Sequence, residues 1–400
     1  MLSKPLSICL MALAFIVTAV VYPHVLRFAQ RKNIVDNPDA RKLQRVPVPV
    51  MGGTTVFVGM LVAVAALFFI SPDPRIWKLM ILLTVMYLVG LLDDIKGVAV
   101  AFRFFIELTV VWLMIILMDV KIDNFYGLFG VYVIPDVVSI PLTLIAGVGI
   151  INAINMIDGI DGYCSAFGIM VCVTFAILFF FVDDSSMFTF TIIIIGALIP
   201  FFFHNVFGYT SKMFLGDSGS LMLGTILTFF IINTLSRSSL CIRYEHASLS
   251  IPALALAILA VPIFDTIKVM IIRMYNGRSP FRPDKRHLHH VFIDLNFTHL
   301  ATSVIIVGIN IIILDAMMIS WLLGLGKEGQ LFLVILLSLV LVWGVYFYVT
   351  RQKYCNNGAG TEFYREWSSR NHRSKLSLSR TWVFISDLVD GRMVSERRNK

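Results

Sequence analysis

Charged residues are scarce in this chain of 400 amino acids. Only 14% of the residues are Asp, Glu, Lys or Arg, whereas 58% are hydrophobic. A soluble core cannot use that much apolar surface, so the composition excludes a soluble globular protein. The long apolar runs predict an all-α, polytopic membrane helical bundle, because a backbone inside hydrocarbon must satisfy its own hydrogen bonds.

Cysteine is also scarce, and the sequence shows no internal repeat and no second globular domain. The five cysteines have no metal-ligand spacing and lie mostly in predicted helices, which indicates packing residues. The first apolar run has only Lys4 ahead of it and a dense basic loop after it. This arrangement favours a retained first helix over a cleaved signal peptide.

The apolar runs predict about eleven transmembrane helices of roughly 20 residues each. They cover residues 6–26, 51–71, 77–92, 102–118, 137–154, 164–182, 187–204, 217–235, 250–272, 300–322 and 330–350. Lys and Arg collect in the loops after the first and the ninth span, and short cytoplasmic loops carry such an excess. We therefore predict a periplasmic N-terminus and a cytoplasmic C-terminus.

The predicted domain organisation is simple. We expect residues 1–350 to form one integral membrane domain and residues 351–400 to form a basic, Ser-rich cytoplasmic tail. A tail lying on the membrane surface and a partly disordered tail both remain open. The net charge of +8 indicates anionic lipid and anionic substrate as partners and no nucleic acid, because the basic residues flank membrane spans.

The acidic motifs fall on one predicted face of the membrane, beginning with Asp93 and Asp94 at the end of the third span. Adjacent carboxylates repel each other and favour a nearby cation or basic partner, although two solvated interfacial acids would fit equally well. Helix neighbours point about 100° apart, so we expect one acid to act in the site and the other to support it.

Two intramembrane pairs are weaker candidates. Arg103 and Glu107 are four residues apart in the fourth span, and Asp265 and Lys268 are three apart in the ninth. Both spacings place the partners on one helix face, which indicates a structural or supporting role.

The stretch from Asn152 to Gly162 begins inside the fifth apolar run and reads Asn-Ala-Ile-Asn-Met-Ile-Asp-Gly-Ile-Asp-Gly. A charged group at such depth costs roughly 2.5–3.5 kcal/mol, which disfavours a purely structural origin. If the stretch is helical, Asn152, Asn155 and Asp158 share one face. The glycines allow backbone amides to approach a phosphate, while the Asn and Asp side chains can hold a metal or sugar hydroxyls.

The motif Gly216-Asp217-Ser218-Gly219 stands at the start of the eighth span. Helix capping alone explains one acid there, and a capped N-terminus is also a good anion site. Asp217 shares the predicted face with the other acidic motifs, a combination suited to Mg²⁺ with substrate phosphates and waters. Asn205, just inside the same face, is a predicted substrate contact.

The last motif runs from Ser279 to His290 and reads Ser-Pro-Phe-Arg-Pro-Asp-Lys-Arg-His-Leu-His-His. Its cations and imidazoles can bind a diphosphate, since Arg donates two hydrogen bonds to a phosphate and His can donate one from either ring nitrogen. The predicted contacts are Arg282, Arg286, His287, His289 and His290. A zinc site is the competing interpretation, disfavoured by the absence of Cys and by the neighbouring cations.

Together these motifs resemble those of the polyprenyl-phosphate N-acetylhexosamine-1-phosphate transferases over roughly residues 20–350. The histidine string is similar to that of the bacterial branch using UDP-N-acetylglucosamine. The resemblance implies transfer of N-acetylglucosamine-1-phosphate from that UDP-sugar donor to undecaprenyl phosphate, with release of UMP, initiating lipid-linked cell-surface polysaccharide synthesis. It further implies Mg²⁺, or alternatively Mn²⁺, and a multi-pass protein of the bacterial inner (cytoplasmic) membrane whose active site faces the cytoplasm.

The resemblance also assigns roles to residues. It implies that Asp93 and Asp94 are catalytic, that Asp217 and Asn155 hold the metal, and that the histidine-rich loop contacts the nucleotide-sugar. The residues themselves predict further substrate contacts at Asn152, Asp158, Asp161 and Asn205. The chain departs from the family pattern at Glu107, where members often carry Gln, and at Tyr163, where they often carry Leu.

Several alternatives stay open on the sequence. A one-step displacement and a covalent aspartyl intermediate are both compatible with these residues. The alternative donor sugars are FucNAc, QuiNAc and GalNAc, and a homodimer is possible. A secondary transporter is the rival from another class, but it predicts ionisable residues through the full depth of the membrane, whereas here they cluster at one interface.

Overall fold

The computed structural model describes residues 4–36, 47–244, 246–280, 286–295 and 297–355, together with Val389. These residues form a helical bundle with two short antiparallel hairpins, which confirms the predicted helical fold class. Apart from its first residues and Val389, the predicted tail lies outside the described residues.

The helices follow one another with short connections. They are α1 (Lys4–Arg31), α2 (Gly52–Ile70), α3 (Pro74–Lys96), α4 (Val100–Met118), α5 (Asp136–Met156), α6 (Tyr163–Phe181), α7 (Ser185–Phe207), α8 (Gly216–Thr234), α9 (Ile251–Ile258), α10 (Ala260–Tyr275), α11 (Leu288–Asp294), α12 (His299–Leu322), α13 (Lys327–Ser338) and α14 (Val345–Cys355). A π-helical segment, Leu339–Gly344, joins α13 to α14. The hairpins pair β1 (Val35–Asp36) with β2 (Val48–Pro49) and β3 (Asn124–Leu128) with β4 (Val131–Val133).

Each predicted span coincides with a helix or a helix pair of this structure. Among the described residues, nine helical stretches are long and apolar enough to cross a membrane, and the bent pair α9–α10 makes a tenth. Helix α8 occupies the predicted eighth span without being one of these ten. The chain is thus a polytopic helical protein, while the total of eleven spans and the orientation stay predictions.

Helix α8 lies at the centre of the bundle and is buried along nearly its whole length. Glycines let α2 and α3 approach it closely. A Cβ atom on Gly53 would lie 2.2 Å from the Gly219 nitrogen, and one on Gly90 would lie 2.4 Å from the Asp217 carbonyl oxygen. Small residues are what such close contacts between membrane helices require. They bring the first turn of α8 beside the last turns of α3.

A short backbone pairing fixes the segment that precedes α8. The Phe214 amide donates to the Pro49 carbonyl at 2.8 Å, and the Gly52 amide donates to the Phe214 carbonyl at 2.9 Å. The entrance of α8 is therefore tied to the entrance of α2 by main-chain bonds that do not depend on side-chain identity.

The span formed by α9 and α10 is bent by 72°. Asn310 of α12 is buried at this break, where it accepts from the Val261 amide at 2.9 Å and donates to the Ile258 carbonyl at 3.0 Å. Backbone groups released by a break inside a membrane need such partners. Asn310 therefore stabilises the bend, and α10 leads the chain to the histidine-rich segment.

Candidate active site

A cavity of about 410 Å³ opens where α3, α5 and α8 bring their polar ends together. Six of the lining residues in the described chain are aspartates: Asp36, Asp93, Asp94, Asp158, Asp161 and Asp217. The other lining residues are Val35, Val50, Asn155, Gly159, Ile160, Asn205, Phe214, Gly216, His290 and His299. The structure thus gathers residues of all the predicted motifs around one acidic cavity.

Asp94 caps helix α8 from a neighbouring helix. Its two carboxylate oxygens accept hydrogen bonds from the backbone amides of Asp217, at 2.8 Å, and Ser218, at 3.0 Å. Free amides and the positive dipole end make a helix N-terminus favourable for a carboxylate. Gly216 has a φ of +77°, and a Cβ atom there would lie 2.7 Å from an Asp94 oxygen. Asp94 therefore fixes the position of Asp217.

Asp93 is held by two different groups. One oxygen accepts from the Val98 amide at 2.8 Å, and the other lies 3.2 Å from Nη1 of Arg103. The same Nη1 lies 3.9 Å from Oδ1 of Asp217. Arg103 therefore lies between Asp93 of α3 and Asp217 of α8, at the edge of the site. Its spacing to Glu107 in the sequence did not predict this position.

Asn155 and Asp217, the two predicted metal ligands, are in direct contact. Nδ2 of Asn155 donates to Oδ1 of Asp217 at 2.5 Å and to Oγ of Ser220 at 2.9 Å. The structure thereby joins the last turn of α5 to the first turn of α8. Among the described residues, no group of three or more His, Cys, Asp or Glu side chains forms a metal site. Mg²⁺ needs only one or two protein oxygens when phosphates and waters supply the rest.

Asp158 is half-buried in the loop between α5 and α6. Burial raises its pKa well above the ordinary value, and the negative charges of Asp217 and Asp94 raise it further. The loop therefore presents a carboxyl group that binds a proton, or another cation, more readily than an ordinary aspartate.

Asp161, three residues further along, has the opposite character. Its Oδ2 lies 2.6 Å from Nζ of Lys212 and 2.7 Å from Nδ1 of His299. Burial acts to raise its pKa, but the hydrogen bond from His299 and the charge of Lys212 outweigh burial and lower it. Asp161 is therefore an ionised residue that holds two basic side chains at the cavity.

The two other predicted amide contacts are bound within the protein. Asn205 accepts from the Gly162 amide at 2.6 Å and donates to the Met213 carbonyl at 2.9 Å, so it ties together two loops of the cavity wall. Asn152 is not one of the lining residues. Its Nδ2 donates to Glu107 and to the Val148 carbonyl, one turn deeper in the membrane region.

The histidine-rich segment is anchored to the bent span. Asp265 accepts from Lys268 at 2.6 Å and from the Leu288 amide at 3.0 Å, and its other oxygen lies 2.8 Å from Nδ1 of His287. Asp265 and Lys268 are buried, and the bonds of Asp265 with His287 and the Leu288 amide give α10 a fixed connection to α11. His290, at the first turn of α11, reaches the cavity.

His289 lies behind the cavity wall. Burial lowers its pKa well below the ordinary value, and the neighbouring charges of His290 and His287 lower it further. A Cβ atom on Gly159 would lie 2.6 Å from Nε2 of His289, so only glycine lets the ring approach this loop. Of the remaining predicted contacts, Arg286 is not a lining residue and Arg282 lies outside the described residues.

Sequence reasoning missed two polar residues of the cavity wall, Asp36 and His299, and gave no role to Lys212, which contacts Asp161. Asp36 lies in β1, whose two residues carry no recognisable strand pattern. His299 is the first residue of α12, and only the capping residue Thr298 before it marks the helix start. Lys212 lies four residues before Gly216 in the sequence, and its contact with Asp161 depends on the fold. No local sequence pattern predicted any of these contacts.

A family model and several known proteins match this chain. The model of glycosyl transferase family 4 matches residues 76–235, from α3 to the end of α8. A probable undecaprenyl-phosphate N-acetylglucosaminyl 1-phosphate transferase of Bacillus subtilis (strain 168) is 31% identical over 304 residues, which cover 75% of this chain and 82% of the relative.

Two further relatives are similar over most of their length. The undecaprenyl-phosphate alpha-N-acetylglucosaminyl 1-phosphate transferase of Escherichia coli (strain K12) is 28% identical over 301 residues, covering 73% of this chain and 78% of the relative. The decaprenyl-phosphate N-acetylglucosaminephosphotransferase of Mycobacterium leprae (strain TN) is 30% identical over 297 residues, covering 68% of this chain and 73% of the relative.

Proposed function

This chain belongs to glycosyl transferase family 4, and we propose that it transfers N-acetylglucosamine-1-phosphate from UDP-N-acetylglucosamine to undecaprenyl phosphate, with release of UMP. The observation that carries the proposal is the single acidic cavity at the ends of the apolar helices, lined by Asp93, Asp94, Asn155, Asp158 and Asp217. These residues come from three separate motifs, and the relatives that share the sequence are named for this transfer.

The proposed reaction is a displacement at phosphorus. An oxygen of the acceptor phosphate attacks the β-phosphorus of the donor, a new P–O bond forms, and the bond from that phosphorus to the bridging oxygen breaks. UMP leaves with the bridging oxygen and its electron pair. The acceptor phosphate is already an anion, so the protein mainly has to position two substrates and neutralise their charge.

The contacts of the paired aspartates favour a one-step displacement. Both oxygens of Asp94 accept backbone hydrogen bonds, and Asp93 is paired with Arg103 and the Val98 amide. A carboxylate engaged in this way is a weaker nucleophile, because hydrogen bonds to both of its oxygens stabilise the negative charge. We therefore propose that both residues orient the site and that neither carries a covalent intermediate.

We propose that Mg²⁺ is held by the carboxylate of Asp217 and the carboxamide oxygen of Asn155. The donor set supports this, since hard oxygen ligands adjoin a cavity with six aspartates. The Asn155 amide now donates to Asp217, and a rotation about its last bond would present the oxygen instead. A bound Mg²⁺ would supply charge neutralisation for the phosphates.

The proposed location is the inner membrane, with the cavity facing the cytoplasm. The donor is soluble in water, whereas the isoprenoid chain of the acceptor stays in the bilayer, so their phosphates meet only at the membrane boundary. The described parts of the basic loops after the first and ninth predicted spans, with Arg31 and Lys32 in one and Arg273 and Arg278 in the other, lie at this end of the helices. Their position supports a cytoplasmic location of the cavity.

The test uses purified full-length protein in lipid nanodiscs with undecaprenyl phosphate and a panel of radiolabelled UDP-sugars. We expect UDP-N-acetylglucosamine to give the fastest labelling of lipid, EDTA to abolish it, and added Mg²⁺ to restore it. Asp217→Asn should lower UMP release by about 10²–10³-fold, since it removes charge from the centre of the site.

The matched control is Asp136→Asn, the same chemical change at the start of α5, where Asp136 pairs with Lys121 far from the cavity. We expect wild-type turnover from it. Undiminished UMP release by Asp217→Asn would end the proposed function, and faster labelling from another UDP-sugar would replace the proposed donor.

A further inference from the structure

We infer that Glu107 is a positioning residue that holds the Arg103 guanidinium back from Asp217 and so keeps that carboxylate open to a divalent cation. The inference rests on the proposed function, because it concerns the proposed metal ligand. It gives a role to a buried acid that the displacement itself does not use.

Glu107 is fixed between two helices. It is wholly buried on α4, and Asn152 of α5 donates a hydrogen bond to its Oε2. Its Oε1 lies 3.5 Å from Nε of Arg103, one helical turn earlier. A buried carboxylate is costly unless it is paired with a positive charge. The free-energy cost of burying the Glu107 carboxylate therefore favours its ion pair with Arg103.

This pairing limits how far Arg103 can extend. Nη1 of Arg103 is 3.2 Å from Oδ2 of Asp93 but 3.9 Å from Oδ1 of Asp217, which is beyond hydrogen-bond length. The guanidinium is planar and rigid, so holding Nε toward Glu107 and Nη1 toward Asp93 fixes its orientation. Asp217 instead accepts its hydrogen bond from the neutral amide of Asn155.

The alternative arrangement would compete with a cation. If Arg103 lost its attraction to Glu107, a movement of about 1 Å would bring it into a full salt bridge with Asp217. A carboxylate neutralised by Arg binds Mg²⁺ less well, because both cations use the same oxygens. In this arrangement Glu107 acts on Asp217 through the position of Arg103.

The test measures Mn²⁺ binding directly, by the electron paramagnetic resonance of free Mn²⁺, on nanodisc-embedded protein without substrates. Glu107→Gln keeps the shape and one acceptor oxygen, which can still accept from Asn152, but removes the charge. We expect its Mn²⁺ dissociation constant to rise by about tenfold, the size typical of changes to residues that support metal ligands. The same factor should appear in the Mg²⁺ concentration that half-activates transfer.

The double variant Arg103→Gln plus Glu107→Gln decides the mechanism. It removes both buried charges together, and we expect Mn²⁺ affinity to return to within about threefold of wild type, because contacting residues are coupled. The control Asp136→Asn should bind Mn²⁺ as wild type does. A merely structural Glu107 would give the reverse pattern, with a lower unfolding temperature in both variants and no recovery of affinity in the double variant.

Two results would overturn the inference: an unchanged Mn²⁺ affinity in Glu107→Gln, or an equal loss of affinity in the double variant. If the single variant does not fold, the double variant still tests the inference. A Mn²⁺ affinity far below that of wild type in the double variant contradicts the mechanism by itself. Failure of the proposed function is separately visible, because the wild-type protein would then show no Mg²⁺-dependent release of UMP.

Discussion

Charged side chains are paired differently at the two ends of the helical bundle. At the end away from the cavity, Arg75 lies 2.7 Å from both Asp73 and Asp184, and Lys121 lies 2.7 Å from Asp136. At the cavity end, six aspartates share one space, and one oxygen of buried Asp161 has no hydrogen-bond partner among the described residues.

The difference indicates which charged residues stabilise the fold and which ones bind ligands. Unsatisfied buried polar atoms and crowded carboxylates cost free energy, so a protein keeps them where binding recovers that cost. The Nε2 atoms of His287 and His289, which also have no hydrogen-bond partner within the described chain, belong to the same end. Substitutions at the two ends should therefore affect different measurements.

The largest effect is expected from Asp94→Ala. This change removes the carboxylate that caps α8, so Asp217 loses its fixed position. We expect UMP release to fall by more than about 10²-fold, because small displacements of reacting groups are that costly. Stability should fall by about 1–2 kcal/mol, the range for a lost helix cap. Initial rates at saturating substrates and thermal unfolding measure the two effects.

Asp94→Asn provides the sharper control, since its carboxamide oxygen can still accept one amide hydrogen bond. Stability close to wild type with strongly reduced turnover would show that the active site needs the negative charge, whereas the cap of α8 does not. Wild-type turnover in Asp94→Ala would contradict the role of the cap.

The next effect is expected from Asp161→Asn, which weakens the hold on Lys212 and His299. Losing a charge-assisted hydrogen bond costs about 1.5 kcal/mol, or roughly tenfold in binding. We expect KM for the UDP-sugar to rise by about this factor, with kcat changed less. Steady-state kinetics with varied donor separates the two constants. A loss confined to kcat would place Asp161 in the chemistry and not in donor binding.

Much of this fold could be predicted from the sequence, because long apolar runs predict membrane helices. The runs located the helices, and the polar motifs located most of the cavity wall. Contacts across helices were not accessible in this way. Asp94 looks like one half of an acidic pair in the sequence, whereas the fold makes it the cap of a helix that begins 122 residues later, at Gly216.

The bend between α9 and α10 shows the same limit. Its partner is Asn310, which lies in a largely apolar helix and belongs to no recognised motif. Similarly, Asn152 shares a helix face with Asn155, yet Glu107 draws its side chain deeper, away from the cavity. A helical period gives the face of a residue but not the neighbour that competes for its side chain.

At the opposite end, Arg75→Leu should change stability and leave kinetics intact. It leaves Asp184, which is 5% exposed, without its charged partner. Arg75 itself is 40% exposed, so solvent screens part of the interaction. We expect a loss of about 1 kcal/mol in the free energy of unfolding. Thermal unfolding in nanodiscs measures it, and an unchanged KM for the UDP-sugar separates this end from the cavity.

The smallest effect is expected from pH acting on Asp73. Burial acts to raise its pKa, but hydrogen bonds from Arg75 outweigh burial and leave it below the ordinary 3.8. A carboxylate with a lowered pKa in the folded state adds stability above its unfolded pKa, and this stability is lost as pH falls through the folded pKa. The difference in unfolding temperature between wild type and Asp73→Asn should therefore be constant from about pH 5 to 7 and shrink below about pH 4. Thermal unfolding at stepped pH measures it. A difference that grew on acidification would mean that Asp73 is strained, and not stabilised, beside Arg75.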